Sequence, residues 1–178
     1  MTRFFALLTV LAATLLTACA AQPPRAGQSQ PPSAETIQAQ VGVINANLAQ
    51  YRKVVGQWQN EQTTSTYQAY FDGSKPIYIV ETAGGERTQG YAVNKYYYRD
   101  GALFYFRGQG SAGSADILNP QPAEIDIQLA FGVNGKLLRA IKTVNGRPLS
   151  LEPGEAAAIR GHAGELRRQA LADLARAQ

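Results

Sequence analysis

The first regular hydrophobic pattern in the chain follows Ser33. Apolar residues recur there at alternating spacings of four and three, as on one face of a helix: Ile37, Val41, Ile44, Leu48, Tyr51 and Val55. Ser33 suits the N-cap, Glu35 favours the first turn and Gly56 suits the end of the helix. The pattern therefore predicts a helix over 33–55 that packs on the protein's own sheet. The alternative is a coiled coil or a partner-binding helix. Packing on the protein's own sheet is favoured because three heptads are the lower limit for a coiled coil.

Residues 64–150 have the composition of strands and are rich in Tyr, Ile, Val, Phe and Thr. The turn pairs Asp72-Gly73, Asp100-Gly101 and Asn134-Gly135 each lie between such runs and predict three hairpins. The three hairpins look like versions of one irregular repeat. A further pair, Asn145-Gly146, precedes a short run at 148–151. The sequence therefore predicts an antiparallel meander of six strands, or seven if that last run pairs.

Consecutive tyrosines make the faces of this sheet informative. Tyr96, Tyr97 and Tyr98 must place at least one ring on each face, because successive strand side chains alternate. Core packing is the ordinary role of such rings. If helices cover only one face, however, one set of rings is exposed, and tyrosine is common in binding surfaces. These three residues are therefore the candidate binding surface.

The end of the chain repeats the helical pattern. One stripe contains Ala156, Ile159, Ala163, Leu166, Ala170 and Leu174. Pro153 and Glu155 suit the start of a helix and Arg176 suits its end, whereas Gly161 and Gly164 weaken it by about 1 kcal/mol each. The predicted fold is α+β, with an N-terminal helix, an antiparallel meander of six or seven strands and a C-terminal helix. Residues 33–178 are expected to form a single domain with both helices on one face of the sheet.

Residues 1–18 have the three parts of a secretory signal. Arg3 supplies a positive charge, an apolar run follows at 4–16, and the small residue Ala18 precedes Cys19. The run has about 13 residues, whereas a membrane span needs about 20. Export is therefore expected. Cleavage after Ala20 by an ordinary signal peptidase is the alternative that leaves no lipid.

Leu16-Thr17-Ala18-Cys19 resembles the lipobox of bacterial lipoproteins. The resemblance implies cleavage before Cys19 and diacylglycerol on its sulfur, which anchors the chain to a membrane. Ala20 stands where an aspartate retains such proteins in the inner membrane, so the resemblance implies the outer membrane of a Gram-negative envelope, facing the periplasm. Residues 19–32 predict a lipidated cysteine followed by a disordered tether rich in proline and glutamine. The stretch 96–105 also resembles hairpins of small uncharacterised β-meander envelope lipoproteins, a likeness that implies no activity.

Composition limits the partners. The formal net charge is +4, but lysine and arginine are dispersed along the chain and not clustered, so nucleic acid is not an expected partner. A single cysteine excludes an intramolecular disulfide. His162 is the one histidine, so no metal site is expected, and the helical pattern predicts it to be a surface helix residue. No cofactor is expected either.

Two local patterns mimic known sites. Residues 108–113 spell G-x-G-x-x-G, but Asn119-Pro120 follows too soon for the helix that a nucleotide needs, which indicates a loop. Glu124 and Asp126 share a strand face, with Asp116 nearby in sequence, as two carboxylates do in glycosidases. A solvated strand face looks the same.

The sequence favours a non-enzymatic envelope lipoprotein that binds another envelope protein, a lipid or a glycan through an exposed sheet face. No catalytic residue is assigned. The alternative is a hydrolase of the cell wall or envelope, which would need polar groups that converge in a pocket.

Overall fold

The computed structural model describes residues 33–61, 63–84, 90–113 and 122–177. The predictions for the signal segment, Cys19 and the tether lie outside these residues, as does Asp116. The elements in chain order are α1 (Ala34–Ala46), a short 3-10 helix (Leu48–Gln50), β1 (Arg52–Gln59), β2 (Thr64–Asp72), β3 (Lys75–Gly84), β4 (Tyr91–Arg99), β5 (Ala102–Ala112), β6 (Ala123–Phe131), β7 (Leu137–Val144), β8 (Arg147–Leu149) and α2 (Glu155–Arg176).

The eight strands form one antiparallel sheet in which spatial order equals chain order. The predicted helix, meander and helix are therefore confirmed, but the meander has eight strands within the described residues, and not six or seven. Asp100 and Gly101 have φ of 51° and 77°, and Asn145 and Gly146 have φ of 50° and 74°. Two consecutive positive φ angles are what a tight two-residue hairpin requires, and these residue types adopt them at low cost.

The hairpin at Asn134-Gly135 is wider than the sequence indicates. Gly135 has the expected positive φ, 73°, but Asn134 does not share it. The loop is closed by a hydrogen bond from the N–H of Gly132 to the carbonyl of Lys136, 2.9 Å long. Gly135 still occupies a conformation that other residues rarely adopt.

The predicted helix over 33–55 is correct at its start and wrong beyond Ala46. Ser33 caps it by accepting a hydrogen bond from the N–H of Thr36 at 3.2 Å. Asn47 ends it, and the chain then forms β1, which pairs with β2 along its whole length. Residues such as Val54 and Trp58 favour strands because their side chains pack well on a pleated surface. Val55 belongs to this strand and is 64% exposed.

The two helices cover opposite faces of the sheet, which corrects the prediction that both lie on one face. On one side α2 contributes Ala163, Leu166, Ala170 and Leu174 to a core with Tyr67, Phe71, Ile79, Phe106 and Leu129, among others. On the other side α1 contributes Ile37 and Val41 to a core with Tyr78, Phe104, Tyr105 and Ala130, among others. The sheet is therefore the middle of three layers.

This arrangement overturns the proposed aromatic binding surface. Tyr96 and Tyr98 lie under α2 and are 1% and 3% exposed, while Tyr97 lies under α1 and is 3% exposed. Their hydroxyls are also occupied: Tyr97 donates to Asn45 at 3.1 Å and Tyr98 to the carbonyl of Ala163 at 2.8 Å. The three rings are core residues because each face has its own helix.

No helix in the described part of the chain combines the length and the apolar character needed to cross a membrane.

Candidate functional site

The register of the sheet aligns residues from successive strands into rows that face α2. One row is made of Val54, Ala69, Ile79, Tyr96, Phe106, Leu129 and Ala140; the next of Gly56, Tyr67, Glu81, Asn94, Gly108, Ile127 and Lys142; the third of Trp58, Ser65, Ala83, Ala92, Gly110, Ile125 and Val144. The first row is mostly apolar. The second row has the carboxylate of Glu81 near its middle. In the third row, β3, β4 and β5 contribute only alanine or glycine.

A cavity of about 460 Å³ lies between these rows and the first half of α2. Its floor is formed by β4, β5 and β6, where Ala92 and Gly110 project little or no side chain. At Gly108 a Cβ atom would lie 2.8 Å from the ring of Phe106 and 2.9 Å from Asn94. The glycine therefore allows the Phe106 ring to lie along the strand and form part of the floor.

The roof of the cavity is one face of α2. Glu155, Ala158, Ile159 and His162 line it and follow the spacing of a helix face. From Glu155 to His162 the helix rises by about 10 Å. The remaining walls are mainly apolar and include Ile125 and Ile127, whereas the second half of α2 packs closely on the sheet.

The carboxylate of Glu81 is the centre of a buried polar cluster at one end of the cavity. Glu81 is 2% exposed, and it accepts hydrogen bonds from Ser65 Oγ at 2.6 Å and Tyr96 Oη at 2.8 Å. His162 Nε2 lies 3.0 Å from both of its oxygens, and Asn94 Nδ2 lies 3.4 Å from Oε2. A buried charge with four donors around it is well compensated.

These contacts set the protonation states of the pair. Burial alone would raise the pKa of the Glu81 carboxyl, but hydrogen bonds from His162, Ser65 and Tyr96 outweigh burial and lower it to about 2. The hydrogen bond to Glu81 raises the pKa of His162 above its usual value, against the opposing effect of burial. The geometry therefore favours a carboxylate paired with an imidazolium.

The His162 ring is held in place by aromatic side chains. The ring of Trp58 stands edge-on to it, with centroids 4.4 Å apart and planes at 84°, and the ring of Tyr96 lies 6.0 Å away. Nε2 is committed to Glu81. His162 lines the cavity, and among the described residues none bonds its Nδ1.

The other charged residue of the cavity wall is also paired. Both carboxylate oxygens of Glu155 accept a hydrogen bond from Lys142 Nζ at 3.0 Å, and Oε2 accepts another from the backbone N–H of Glu152 at 2.9 Å. Lys142 extends from the second row of the sheet and is 15% exposed at its side chain. Within the described residues, the charges lining this cavity are thus internally neutralised.

The structure does not bring the residues singled out from the sequence together in one site. Tyr96 lines the cavity and binds Glu81, whereas Tyr97 lies on the opposite face of the sheet. Asp126 forms an ion pair with Arg107 at 2.9 Å, and Glu124 is exposed two residues away on β6. The glycine-rich stretch that starts at residue 108 was predicted to be a loop, but residues 108–112 belong to β5.

The prediction that His162 is a surface helix residue is wrong, because its ring is bonded to the buried Glu81. Sequence reasoning missed this pair, which is the main polar group of the site. A weak signal existed: Glu81 is two residues from Ile79, so alternation places a carboxylate on the same face as a core residue. Such a charge needs a partner. No local pattern identifies that partner, because it lies 81 positions away on another element.

The cluster has part of the equipment of a hydrolase. A carboxylate that orients an imidazole occurs in catalytic triads, where the other nitrogen of the imidazole activates a hydroxyl. Here Ser65 donates to the carboxylate and not to the imidazole. In the described part of the chain, no group of three or more histidine, cysteine, aspartate or glutamate residues could hold a metal ion.

Comparison with protein-family models, curated proteins and solved structures finds no match to this chain.

Proposed function

We propose that this protein is a cell-envelope lipoprotein, anchored through lipid on Cys19, whose domain binds a small and largely apolar ligand without catalysis. The cavity between the sheet and the first half of α2 carries the proposal. Its volume of about 460 Å³ lies within the range of small-molecule sites, which are mainly apolar with few polar groups.

The packing around the cavity supports a ligand. Protein interiors contain few voids larger than a water molecule, because unfilled space loses dispersion contacts. The second half of α2 meets this standard through Leu166 and Leu174, which are 0% and 4% exposed. Over β4 to β6 the same helix leaves a space lined by Phe106, Ile127 and Ile159. This space is open to solvent at Tyr91 and Ala158, and an apolar molecule that displaces its water gains dispersion contacts with the walls.

The lipid anchor gives this cavity a location. The resemblance of residues 16–19 to a lipobox supports attachment to a membrane, and Ala20, in place of an aspartate that retains such proteins in the inner membrane, supports the outer membrane. Apolar molecules are abundant there. The sequence led us to expect binding through tyrosines on an exposed face of the sheet. We now propose that the ligand binds in the cavity inside the domain. An envelope protein or a glycan as the partner has less support, because the cavity is mainly apolar and too small for a protein segment of defined fold.

A fluorescent apolar probe tests the proposal. The full chain in phosphatidylcholine vesicles is titrated with N-phenyl-1-naphthylamine, and probe emission is excited through Trp58, the one tryptophan of the chain. Because Trp58 contacts His162 at the cavity wall, energy transfer reports probe bound beside it. We expect saturable sensitised emission above that of probe dissolved in vesicles.

Two neighbouring alanines provide a matched pair of variants. Ala158 lines the cavity, and Ala157 does not; both lie on the exposed part of α2. Ala158→Phe fills the cavity and should reduce probe binding at least about tenfold, whereas Ala157→Phe should bind like the parent. Equal binding by both variants, or no saturable binding by the parent, contradicts the proposal.

A hydrolase remains the second candidate because His162 and Glu81 resemble part of a triad. It is tested by incubating the chain with an uncharged acyl ester and measuring release of the free acid. Turnover that Glu81→Gln abolishes, while circular dichroism shows the variant to be folded, would establish the hydrolase and contradict a purely binding role. An ester that is bound and recovered intact supports the binding role.

A further inference from the structure

We infer that the ligand of the cavity is an uncharged, mainly aliphatic molecule with one carbonyl or ester oxygen that accepts a hydrogen bond from Nδ1 of His162. This inference rests on the proposed function and specifies the class of ligand.

The charges in the wall exclude a charged ligand. His162 is paired with Glu81, and Glu155 is paired with Lys142, with every ion-pair distance at 3.0 Å. A carboxylate or ammonium inside the cavity would meet no free counter-ion among these residues. Removing an uncompensated charge from water costs several kcal/mol, whereas an uncharged ligand has no such cost.

The free nitrogen of His162 then determines which polar atom the ligand needs. In the imidazolium both nitrogens carry a proton, so Nε2 donates to Glu81 and Nδ1 is a second donor. A hydrocarbon that displaces water from Nδ1 leaves this donor without a partner, which is unfavourable. A carbonyl or ester oxygen satisfies it, and the aliphatic remainder contacts Ile125, Ile127 and Ile159 along the roof and floor.

The length of the site limits the aliphatic part. From Glu155 to His162 the roof covers about 10 Å of helix. That length suits a chain of medium size when the polar oxygen lies at the His162 end. A long-chain molecule would extend beyond this stretch of the roof.

The proton on His162 makes the preference for a carbonyl or ester ligand over a hydrocarbon dependent on pH. The groups that face the ring are Glu81 on β3, Tyr96 on β4, the uncharged Trp58 on β1 and, on its own helix, Glu165. When His162 loses a proton, Nε2 keeps its hydrogen because Glu81 accepts it. Nδ1 then becomes an acceptor and no longer binds a carbonyl.

Four competitors of similar chain length test the inference: methyl octanoate, nonane, octanoate and octylamine. Each displaces N-phenyl-1-naphthylamine from the full chain in vesicles, with aqueous concentrations corrected by the partition measured in protein-free vesicles. We expect the ester to bind about tenfold more tightly than nonane, the free-energy value of one charge-assisted hydrogen bond. Octanoate and octylamine should bind at least about tenfold more weakly than the ester.

The native protein provides a second readout that needs no variant. A protonated imidazole quenches an adjacent indole, so Trp58 emission against pH gives the pKa of His162. Raising the pH through that pKa should remove the advantage of the ester over nonane while leaving nonane unchanged. His162→Phe should equalise the ester and nonane at all pH values.

The outcomes separate this inference from the proposed function. If the probe binds and octanoate or octylamine competes as well as the ester, the inference is wrong and the binding cavity stands. An ester that binds no better than nonane at any pH also refutes it. If neither probe nor competitor binds, the proposed function itself fails.

Discussion

Nε2 of His162 lies 3.0 Å from both carboxylate oxygens of Glu81, although 81 positions separate the two residues in the chain. This contact joins α2 to β3 at the end of the cavity. It thereby fixes the part of the helix that forms the roof. Stability, pH response and ligand choice all depend on this pair.

The pair should give the protein a stability maximum in mildly acidic solution. Glu81 has a lowered folded pKa, about 2, against 4.5 when unperturbed, so its contribution is full above about 4.5 and is lost as the pH falls toward 2. His162 has a raised folded pKa against 6.5, so its contribution is full below 6.5 and is lost as the pH rises through the folded value. Thermal melting of the parent should therefore be highest between pH 4.5 and 6.5.

Glu81→Gln is the control for this dependence. It should cost about 3–5 kcal/mol within the favourable range, because it leaves His162 and three other donors around a neutral amide. The melting temperature of the variant should vary less with pH. A parent whose stability is flat from about pH 3 to about pH 9 would show that the pair is not an ion pair.

The consecutive tyrosines should behave as core residues on both faces. Tyr96→Ala, Tyr97→Ala and Tyr98→Ala should each destabilise by about 3–5 kcal/mol in denaturant unfolding, because each deletes a buried ring. Tyr91→Ala serves as the control, since that ring is 50% exposed, and should cost less than about 1 kcal/mol. If Tyr97→Ala alone were harmless, α1 would not cover its face of the sheet.

Two types of glycine should respond oppositely to a side chain. Gly161 lies inside α2, and beyond the backbone of its own helix nothing lies within 4 Å of the position that a Cβ atom would take. Gly161→Ala should therefore stabilise by about 0.5–1 kcal/mol. Gly135 has φ of 73°, so Gly135→Val should cost about 1–3 kcal/mol. Calorimetric melting of both variants measures the difference, and a stabilising Gly135→Val would mean that the loop readily adopts another conformation.

The anchor is tested separately from the domain. Cys19 is the single cysteine of the chain and thus the expected lipid acceptor. Cys19→Ser should abolish incorporation of labelled palmitate and leave a larger, uncleaved precursor on a gel. The parent serves as the positive control for labelling. Palmitate labelling of the Cys19→Ser variant would contradict the lipoprotein assignment.

The elements of the fold were largely predictable because they follow local rules. The stripe from Ala156 to Leu174 and the pairs Asp100-Gly101 and Asn145-Gly146 reflect helix periodicity and turn geometry, which act over a few residues. The boundary between α1 and β1 was not predictable in this way. The apolar spacing continues through Tyr51 and Val55, and only pairing with β2 selects the strand.

The site was less predictable because it depends on which face each helix covers. Alternation separates Tyr97 from Tyr96 and Tyr98, but it does not reveal that α1 and α2 lie on opposite sides. The contact of Glu81 with His162 likewise arises only when α2 crosses β3. A sequence shows that a carboxylate shares a face with Ile79, and it cannot show what neutralises that carboxylate.

The most direct test of the cavity as the binding site is the location of a bound ligand. A methyl ester whose aliphatic chain carries a photoreactive diazirine is bound to the full chain in vesicles, irradiated and mapped by mass spectrometry. We expect adducts on Ile125, Ile127 and Ile159, reduced by excess methyl octanoate and by Ala158→Phe but not by Ala157→Phe. Adducts confined to exposed apolar residues such as Val133, Leu138 and Leu149, unaffected by Ala158→Phe, would contradict binding in the cavity.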